Sequence, residues 1–175
     1  MLSRNVKRML KVLALSVLML IIITGVFLFW PEPTLPADVS AEKLVVFKSR
    51  RELQFWANGK LIKVYKISIG ESPKGHKRHQ GDKRTPEGLY YINDKNPNSG
   101  YHLNLGISYP NAEDKRNSSN PGGDVKIHGL KNGQAYIGRF HRLRDWTHGC
   151  IAVTNEEMDE LYKGVPIGTP ILIKP

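Results

Sequence analysis

A long apolar segment near the N-terminus limits how this chain can fold. Residues Val12 to Trp30 are dominated by leucine, isoleucine, valine and phenylalanine and contain no charged side chain. A helix that crosses a bilayer needs about 20 such residues. Basic residues flank the segment only on its N-terminal side, at Arg4, Lys7, Arg8 and Lys11. This asymmetry predicts a transmembrane anchor with a cytoplasmic N-terminus and an exported remainder.

The alternative is a cleaved signal peptide, whose apolar core usually has about 7 to 15 residues and ends in a small-residue cleavage site. The apolar core here is longer, and only weak cleavage candidates follow it, near residues 37 and 41. We therefore expect residues 1–30 to be a basic tail and an uncleaved anchor. Three prolines predict that residues 31–42 form a stiff, extended linker. Residues 43–175 are long enough for one domain with its own core.

The exported part of the chain is basic. The formal net charge is +10, and only part of it comes from the basic residues before Val12. Outside the cytoplasm, a positive surface suits anionic cell-wall polymers or lipid head groups better than nucleic acid, for which the sequence has no binding motif. A surface charge that only keeps the domain soluble explains the scattered lysines equally well.

Cys150 is the only cysteine in the sequence, so the chain cannot form an internal disulfide. A lone cysteine is most often a small, buried apolar residue, but this one directly follows Thr147, His148 and Gly149. A cysteine nucleophile needs a base that accepts its proton and donors that stabilise an oxyanion. His148 lies close in sequence, whereas His128 lies on another predicted strand. We favour His128 as the base, because catalytic histidines usually reach the cysteine from a distant part of the chain.

These motifs resemble a known enzyme family. His128-Gly129, followed later by Thr-His-Gly-Cys and an apolar residue, resembles the signature of the YkuD-type L,D-transpeptidases. The upstream segment 81–88, Gly-Asp-Lys-Arg-Thr-Pro-Glu-Gly, is similar to the same family, and the resemblance extends over roughly residues 43–174. Ala152 is a departure, since many members carry asparagine or arginine there. The run Asp-Trp-Thr-x-Gly-Cys-Ile-Ala resembles a sub-branch that includes an enzyme cutting the link between peptidoglycan and a lipoprotein.

The resemblance implies a reaction and a role for each motif residue. Cys150 would attack the amide after the diamino acid of a peptidoglycan tetrapeptide stem and expel D-alanine. An amine of another stem, or water, would then resolve the thioester. His128 would act as base and then as acid, oriented by the carbonyl of Gly129, while the backbone N–H of Gly149 would bind the oxyanion. No cofactor or metal is expected. The expected substrate-binding residues are His148, Thr147, Trp146, Arg144 and Arg139.

Three other functions remain open at this stage. A hydrolase that releases a lipoprotein from peptidoglycan would use the same residues. A zinc site could be built from His128, His148 and Cys150, with or without His141, because histidine and cysteine are zinc ligands. The third is a non-catalytic wall-binding module. The expected partners are peptidoglycan stem peptides, a wall-linked lipoprotein for the hydrolase, and the membrane through residues 12–30, but no nucleic acid.

The resembled family folds as a β-sandwich of mixed strands, and the sequence pattern predicts a mostly β domain. Asn58-Gly59 is a tight-turn signal between two predicted strands. Thr154 and Glu157 predict a capping box that starts the one clear helix, which Gly164 and Pro166 end. Residues 70–88 are predicted to be a long ordered loop, 93–100 a turn and 111–123 a flexible loop. Strands are predicted at 42–47, 51–57, 60–69, 89–92, 101–107, 125–128 and 169–173.

Overall fold

The structure is a computed structural model that describes residues 3–30 and 32–175, and the chain divides into two compact units at residues 33 and 34. The first unit contains helix α1, Arg4–Phe29. The side chain of Ser3 caps it by accepting a hydrogen bond from the N–H of Val6. The part of α1 from Arg4 to Val26 is long and apolar enough to cross a membrane. The helix thus begins before the predicted segment, and Pro31 of the predicted linker lies outside the described residues.

The second unit is built on one eight-stranded sheet in the spatial order β3-β2-β1-β8-β4-β5-β6-β7. The strands are β1 Lys43–Phe47, β2 Glu52–Ala57, β3 Lys60–Lys66, β4 Gly88–Ser99, β5 His102–Ile107, β6 Lys126–His128, β7 Ile151–Ala152 and β8 Pro170–Lys174. The helices are α2 Ala112–Asn117, a 3-10 segment Ala135–Leu143 and α3 Asn155–Gly164. Two neighbouring pairs, β1 with β8 and β6 with β7, are parallel, and the other pairs are antiparallel.

The sheet is mixed and open, and it curls around an apolar core. Leu44 of β1, Phe55 of β2 and Ile127 of β6 are completely buried in this core. Met158 and Leu161, three residues apart on α3, are also completely buried, so one face of this helix covers the core. The predicted β-sandwich fold of mixed strands with a helix after Cys150 is confirmed.

Two local signals in the sequence correctly mark the ends of elements. The Thr154 side chain accepts from the N–H of Glu157, and the Glu157 carboxylate accepts from the N–H of Thr154 at 2.9 Å. This capping box starts α3 as predicted, and it satisfies two of the N–H groups that a helix end leaves without partners. Asn58 and Gly59 both have positive φ and join β2 to β3, which is the predicted tight turn.

The predicted turn at 93–100 is wrong, because β4 continues to Ser99. Its pairing with β5 persists through two register shifts, which absorb residues that do not fit a regular ladder. The predicted flexible loop 111–123 contains α2, which Asn111 and Asp114 start with a second capping box. Between β3 and β4 the chain forms only isolated bridges, at Ser68 and Gly70, so residues 70–87 agree with the predicted ordered loop.

Residues 34–42, the first part of the second unit, pack against that unit's own core. Leu35 and Val39 contact the apolar core, and Ala41 belongs to it. The N–H of Ala41 also donates to the carbonyl of Gly164 at 2.8 Å, at the end of α3. The later part of the predicted linker is therefore a packed part of this unit.

Candidate active site

A cleft of about 380 Å³ opens where the β4–β5 hairpin, β6 and the segment before β7 meet. Cys150 and His128 both line it, which places the two residues favoured by the sequence in one cavity. The other lining residues are Asn96, Asn98, Ser99, Gly100, Tyr101, Asn104, Asp124, Lys126, Trp146, Thr147 and His148.

The sheet register brings Cys150 and His128 together. His128 of β6 is the pairing partner of Ala152 in the parallel neighbour β7. Side chains alternate along an extended segment, so Cys150 lies on the same face as Ala152, two residues later. The imidazole, from β6, and the thiol, from the residue just before β7, therefore project towards the same side of the sheet.

Two contacts fix the imidazole of His128. Its Nδ1 donates to the carbonyl oxygen of Gly129 at 2.7 Å, which leaves Nε2 as the nitrogen that can accept a proton. The rings of Tyr101 and Trp146 pack against it, with centroids at 4.7 Å and 5.7 Å. Burial lowers the pKa of His128, partly offset by the hydrogen bond to Gly129. His128 is thus held as a neutral base at neutral pH.

The thiol of Cys150 lies at the half-buried floor of the cleft. Its Sγ is 3.7 Å from the carbonyl oxygen of Asp124, to which the thiol donates a weak hydrogen bond. Burial raises the pKa of Cys150, and the backbone amide of Lys126 opposes this effect in part. The cysteine and histidine are therefore a neutral pair at neutral pH.

Thr147 organises the turn that presents the cysteine. Its hydroxyl donates to the carbonyl oxygen of Cys150 at 2.7 Å and accepts from the N–H of Gly149 at 3.2 Å. Gly149 has a φ of 129°, and a Cβ at this position would lie 2.6 Å from the carbonyl oxygen of Arg84. Only glycine combines this dihedral with so close an approach of the two chains.

The segment 81–88 supports this turn from the other side, and Asp82 holds it in shape. The buried carboxylate of Asp82 accepts from Lys77 Nζ at 2.8 Å and from the backbone N–H groups of Arg78, His79 and Arg84. Burial opposes the charge, but these donors outweigh it and lower the pKa of Asp82 to about 2. The Asp82 carboxylate therefore stays ionised and keeps the Arg84 carbonyl against Gly149.

Besides Thr147 and the segment 81–88, a third set of contacts holds the start of the cysteine segment. Asp145 accepts a bidentate pair of hydrogen bonds from Arg51, with Nε 2.9 Å from Oδ1 and Nη2 2.5 Å from Oδ2, and a further hydrogen bond from the N–H of Ile69 at 3.1 Å. Gly70 forms a bridge with Thr147, and the Gly70 N–H donates to Thr85 Oγ1. The cysteine segment is thereby tied to the turn between β1 and β2, through Arg51, and to the chain that follows β3.

A family model for the L,D-transpeptidase catalytic domain, named YkuD, matches residues 41–173, which include the whole cleft. The chain belongs to this family. The match covers nearly all of the second unit, so the family assignment does not rest on the cysteine motif alone.

Individual relatives agree with this assignment. The chain is 31% identical over 128 residues to YafK of Escherichia coli, which carries a provisional L,D-transpeptidase name. The aligned region is 69% of this chain and 45% of YafK. The chain thus spans less than half of that relative. The chain is also 28% identical over 154 residues to YqjB of Bacillus subtilis, which carries a similar provisional name. This alignment covers 82% of this chain and 77% of YqjB.

Solved structures share the fold. The helical cell shape determining protein Pgp2 from Campylobacter jejuni superposes with a TM-score of 0.59 at 24% identity. The superposition covers 75% of this chain and 46% of Pgp2. At this identity the likeness establishes the fold of the YkuD domain.

The structure brings some of the predicted substrate-binding residues to the cleft and not others. Thr147, Trp146 and His148 line it, and the side chain of His148 is 81% exposed. Arg139 and Arg144 do not line the cleft. Arg139 lies in the 3-10 segment, which is kinked at Gly138. A role for these two arginines in binding substrate carboxylates stays a prediction.

The zinc alternative gains no support from the geometry. Among residues 3–30 and 32–175, no group of three histidine, cysteine, aspartate or glutamate side chains could hold a metal ion. His141, which that alternative included, is buried and packs its Nδ1 3.3 Å from Ser68 Oγ.

Sequence reasoning missed the wall of the cleft opposite the cysteine segment. This wall comes from the β4–β5 hairpin and includes Tyr101 and Asn104, while Lys126 and Asp124 contribute the polar floor. Asn104 interrupts an otherwise apolar strand, Leu103 to Leu105, and this was the available signal. The interruption becomes meaningful only once β5 is known to pair with β6.

Proposed function

We propose that the protein is a cysteine-dependent L,D-transpeptidase that acts on peptidoglycan tetrapeptide stems through a thioester acyl-enzyme. The observation that carries this proposal is the shared cleft of Cys150 and His128, in which the Gly129 carbonyl fixes Nδ1 and leaves Nε2 as the base. Family membership supports the same chemistry.

The acylation step begins from the neutral pair. Nε2 of His128 accepts the proton of the Cys150 thiol as Sγ attacks the carbonyl carbon of the diamino acid. A bond forms between sulfur and carbon, and the amide C–N bond to the terminal D-alanine breaks. His128 then donates its proton to the leaving amine, as general acid–base catalysis requires. The products are D-alanine and a thioester on Cys150.

Stabilisation of the oxyanion falls to backbone N–H groups beside the sulfur. The N–H of Gly149 already donates to Thr147 Oγ1 at 3.2 Å, a long hydrogen bond that an oxyanion would have to displace. The backbone N–H of Cys150 is therefore our leading donor, with Gly149 as the second. In the second half of the reaction, an amine of another stem or water attacks the thioester, with His128 again as the base.

The location follows from α1 and from the substrate. We propose that α1 anchors the protein in a membrane with its basic N-terminus in the cytoplasm, and that residues 43–175 work on the wall side. The basic N-terminal flank and the length of α1 support this topology.

The proposal is tested with purified protein and tetrapeptide muropeptides. Transpeptidation predicts release of free D-alanine together with a cross-linked dimer whose new bond follows the diamino acid. Release of D-alanine without a dimer would show that water resolves the thioester, and release of a lipoprotein from sacculi without new cross-links would favour the hydrolase. No D-alanine release from any stem would overturn the proposed chemistry.

A further inference from the structure

Asn104 is a buried polar residue inside the cleft for which the fold gives no reason. It is 4% exposed, and its Oδ1 has no hydrogen-bond partner among the described residues. Buried acceptors without a partner are rare in folded proteins because they lose their hydration without replacement. A leucine, of nearly the same shape, would fill this place without that loss.

The sheet register aims Asn104 at the reacting groups. Asn104 of β5 is the direct antiparallel partner of His128 in β6, so the two side chains lie next to each other on one face. The parallel neighbour on the other side of β6 is β7, in which Ala152 pairs with His128 and Cys150 lies two residues earlier. Asn104 lines the same cleft as both.

A second buried group in the cleft lacks a partner, and it has the opposite polarity. Nε1 of Trp146 is a buried donor without an acceptor among the described residues. Trp146 lines the cleft and packs its ring edge-on against His128. Two residues that line the cleft therefore each have a buried polar atom without a partner, one an acceptor and one a donor, and a peptide group of a substrate offers the complement of both.

We propose that Asn104 is a specificity-determining residue that hydrogen-bonds a backbone peptide group of the stem peptide, with the indole N–H of Trp146 as the complementary donor. The inference rests on the proposed function and adds that the cleft recognises the peptide backbone of the substrate. The side-chain amide of asparagine turns about a broad, two-fold χ2 torsion, so either end can face the cleft. The ligand class is an extended peptide, and a small thiol reagent does not use this subsite.

The first test compares Asn104→Leu with the natural protein. Loss of one hydrogen bond to an uncharged group predicts that KM for a tetrapeptide muropeptide rises by about 3- to 10-fold with little change in kcat. The rate of alkylation by iodoacetamide stays unchanged, and the thermal midpoint stays equal or rises because a buried polar group is removed. Asn104→Asp keeps an acceptor oxygen and is expected to recover part of the affinity. Trp146→Phe keeps a ring against His128 and is expected to raise KM similarly.

Asn93→Leu is the matched control, since it makes the same change on β4 outside the cleft and is expected to leave KM unchanged. Unchanged KM in Asn104→Leu would overturn the inference, and so would a fall in the thermal midpoint with equal loss of alkylation, which would assign Asn104 a structural role. Failure of the proposed function looks different, because then the natural protein itself would not react with the stem.

Discussion

The Thr147 hydroxyl donates a hydrogen bond to the carbonyl oxygen of Cys150 at 2.7 Å, three residues ahead. The Oγ1 of Thr147 also accepts a hydrogen bond from the N–H of Gly149 at 3.2 Å, so one buried hydroxyl closes the turn from both ends. The direction of the Cys150 side chain is therefore set by a residue that carries no charge and takes no proton in the reaction.

Replacement of Thr147 by valine is expected to slow acylation of Cys150. Valine keeps the shape of threonine but leaves the Cys150 carbonyl and the Gly149 N–H without partners, which costs about 1–3 kcal/mol per buried group. Thr147→Ser keeps the hydroxyl and is expected to acylate at close to the natural rate. Acylation kinetics followed by intact mass separate the variants, and equal rates in Thr147→Val would show that the turn does not depend on this hydroxyl.

The neutral state of the cysteine and histidine pair predicts a specific pH dependence. Because burial raises the pKa of Cys150, alkylation by iodoacetamide is expected to have a midpoint above pH 9.0, the ordinary value for the thiol. Because burial lowers the pKa of His128, the base form persists into mildly acidic solution, and acylation by the stem is expected to fall only below the ordinary histidine range. Rapid alkylation at pH 6 would instead indicate a preformed thiolate and imidazolium pair.

His141 is expected to make the folded state sensitive to acid. Burial, together with the positive charges of Arg142 and His128, lowers the pKa of His141 to about 4 from 6.5. The unfolded chain binds this proton more readily, so the contribution of His141 to stability is complete above pH 6.5 and is lost as the pH falls towards 4. Urea unfolding of the detergent-solubilised protein between these pH values measures the loss. His141→Asn does not titrate, and it is expected to flatten this part of the profile.

A methyl group at Gly149 is expected to displace the cysteine segment. The Cβ of Gly149→Ala would lie 2.6 Å from the Arg84 carbonyl, and alanine is also strained at the positive φ of this position. We expect a loss of about 2 kcal/mol or more in the free energy of unfolding and little remaining acylation. Gly168→Ala is the control, because φ there is also positive but no atom lies within 4 Å of the new Cβ. Similar losses in both variants would mean that backbone strain, and not contact with Arg84, is responsible.

The elements that the sequence predicted correctly depend on local chemistry. The capping box of Thr154 and Glu157 and the turn at Asn58 and Gly59 each involve residues at most three positions apart. Residues 93–100 contain asparagine, proline and glycine and so have the composition of a turn. They form a strand because β4 pairs with β5 as far as Ser99. The other edge of β4 is not paired with β8 beyond Tyr91, and an edge of this kind tolerates Pro97.

The candidate site likewise contains residues that the sequence alone identifies and residues whose position depends on long-range strand pairing. The cysteine motif and His128 were visible because both carry chemistry that few residues supply. The position of Asn104 beside His128 depends on the pairing of β5 with β6, a relationship between residues far apart in sequence. Arg139 and Arg144 were chosen for their nearness to Cys150 along the chain, and neither is among the residues that line the cleft.

The most direct test of the central claim is the intact mass of the protein after incubation with a tetrapeptide stem or a carbapenem. We predict a mass gain equal to the stem minus D-alanine, or to the intact carbapenem, located on Cys150 by peptide mapping. The adduct is expected to be absent in Cys150→Ala and to form much more slowly in His128→Ala. An adduct that persists in Cys150→Ala, or one that forms at the natural rate without the His128 imidazole, would contradict the account.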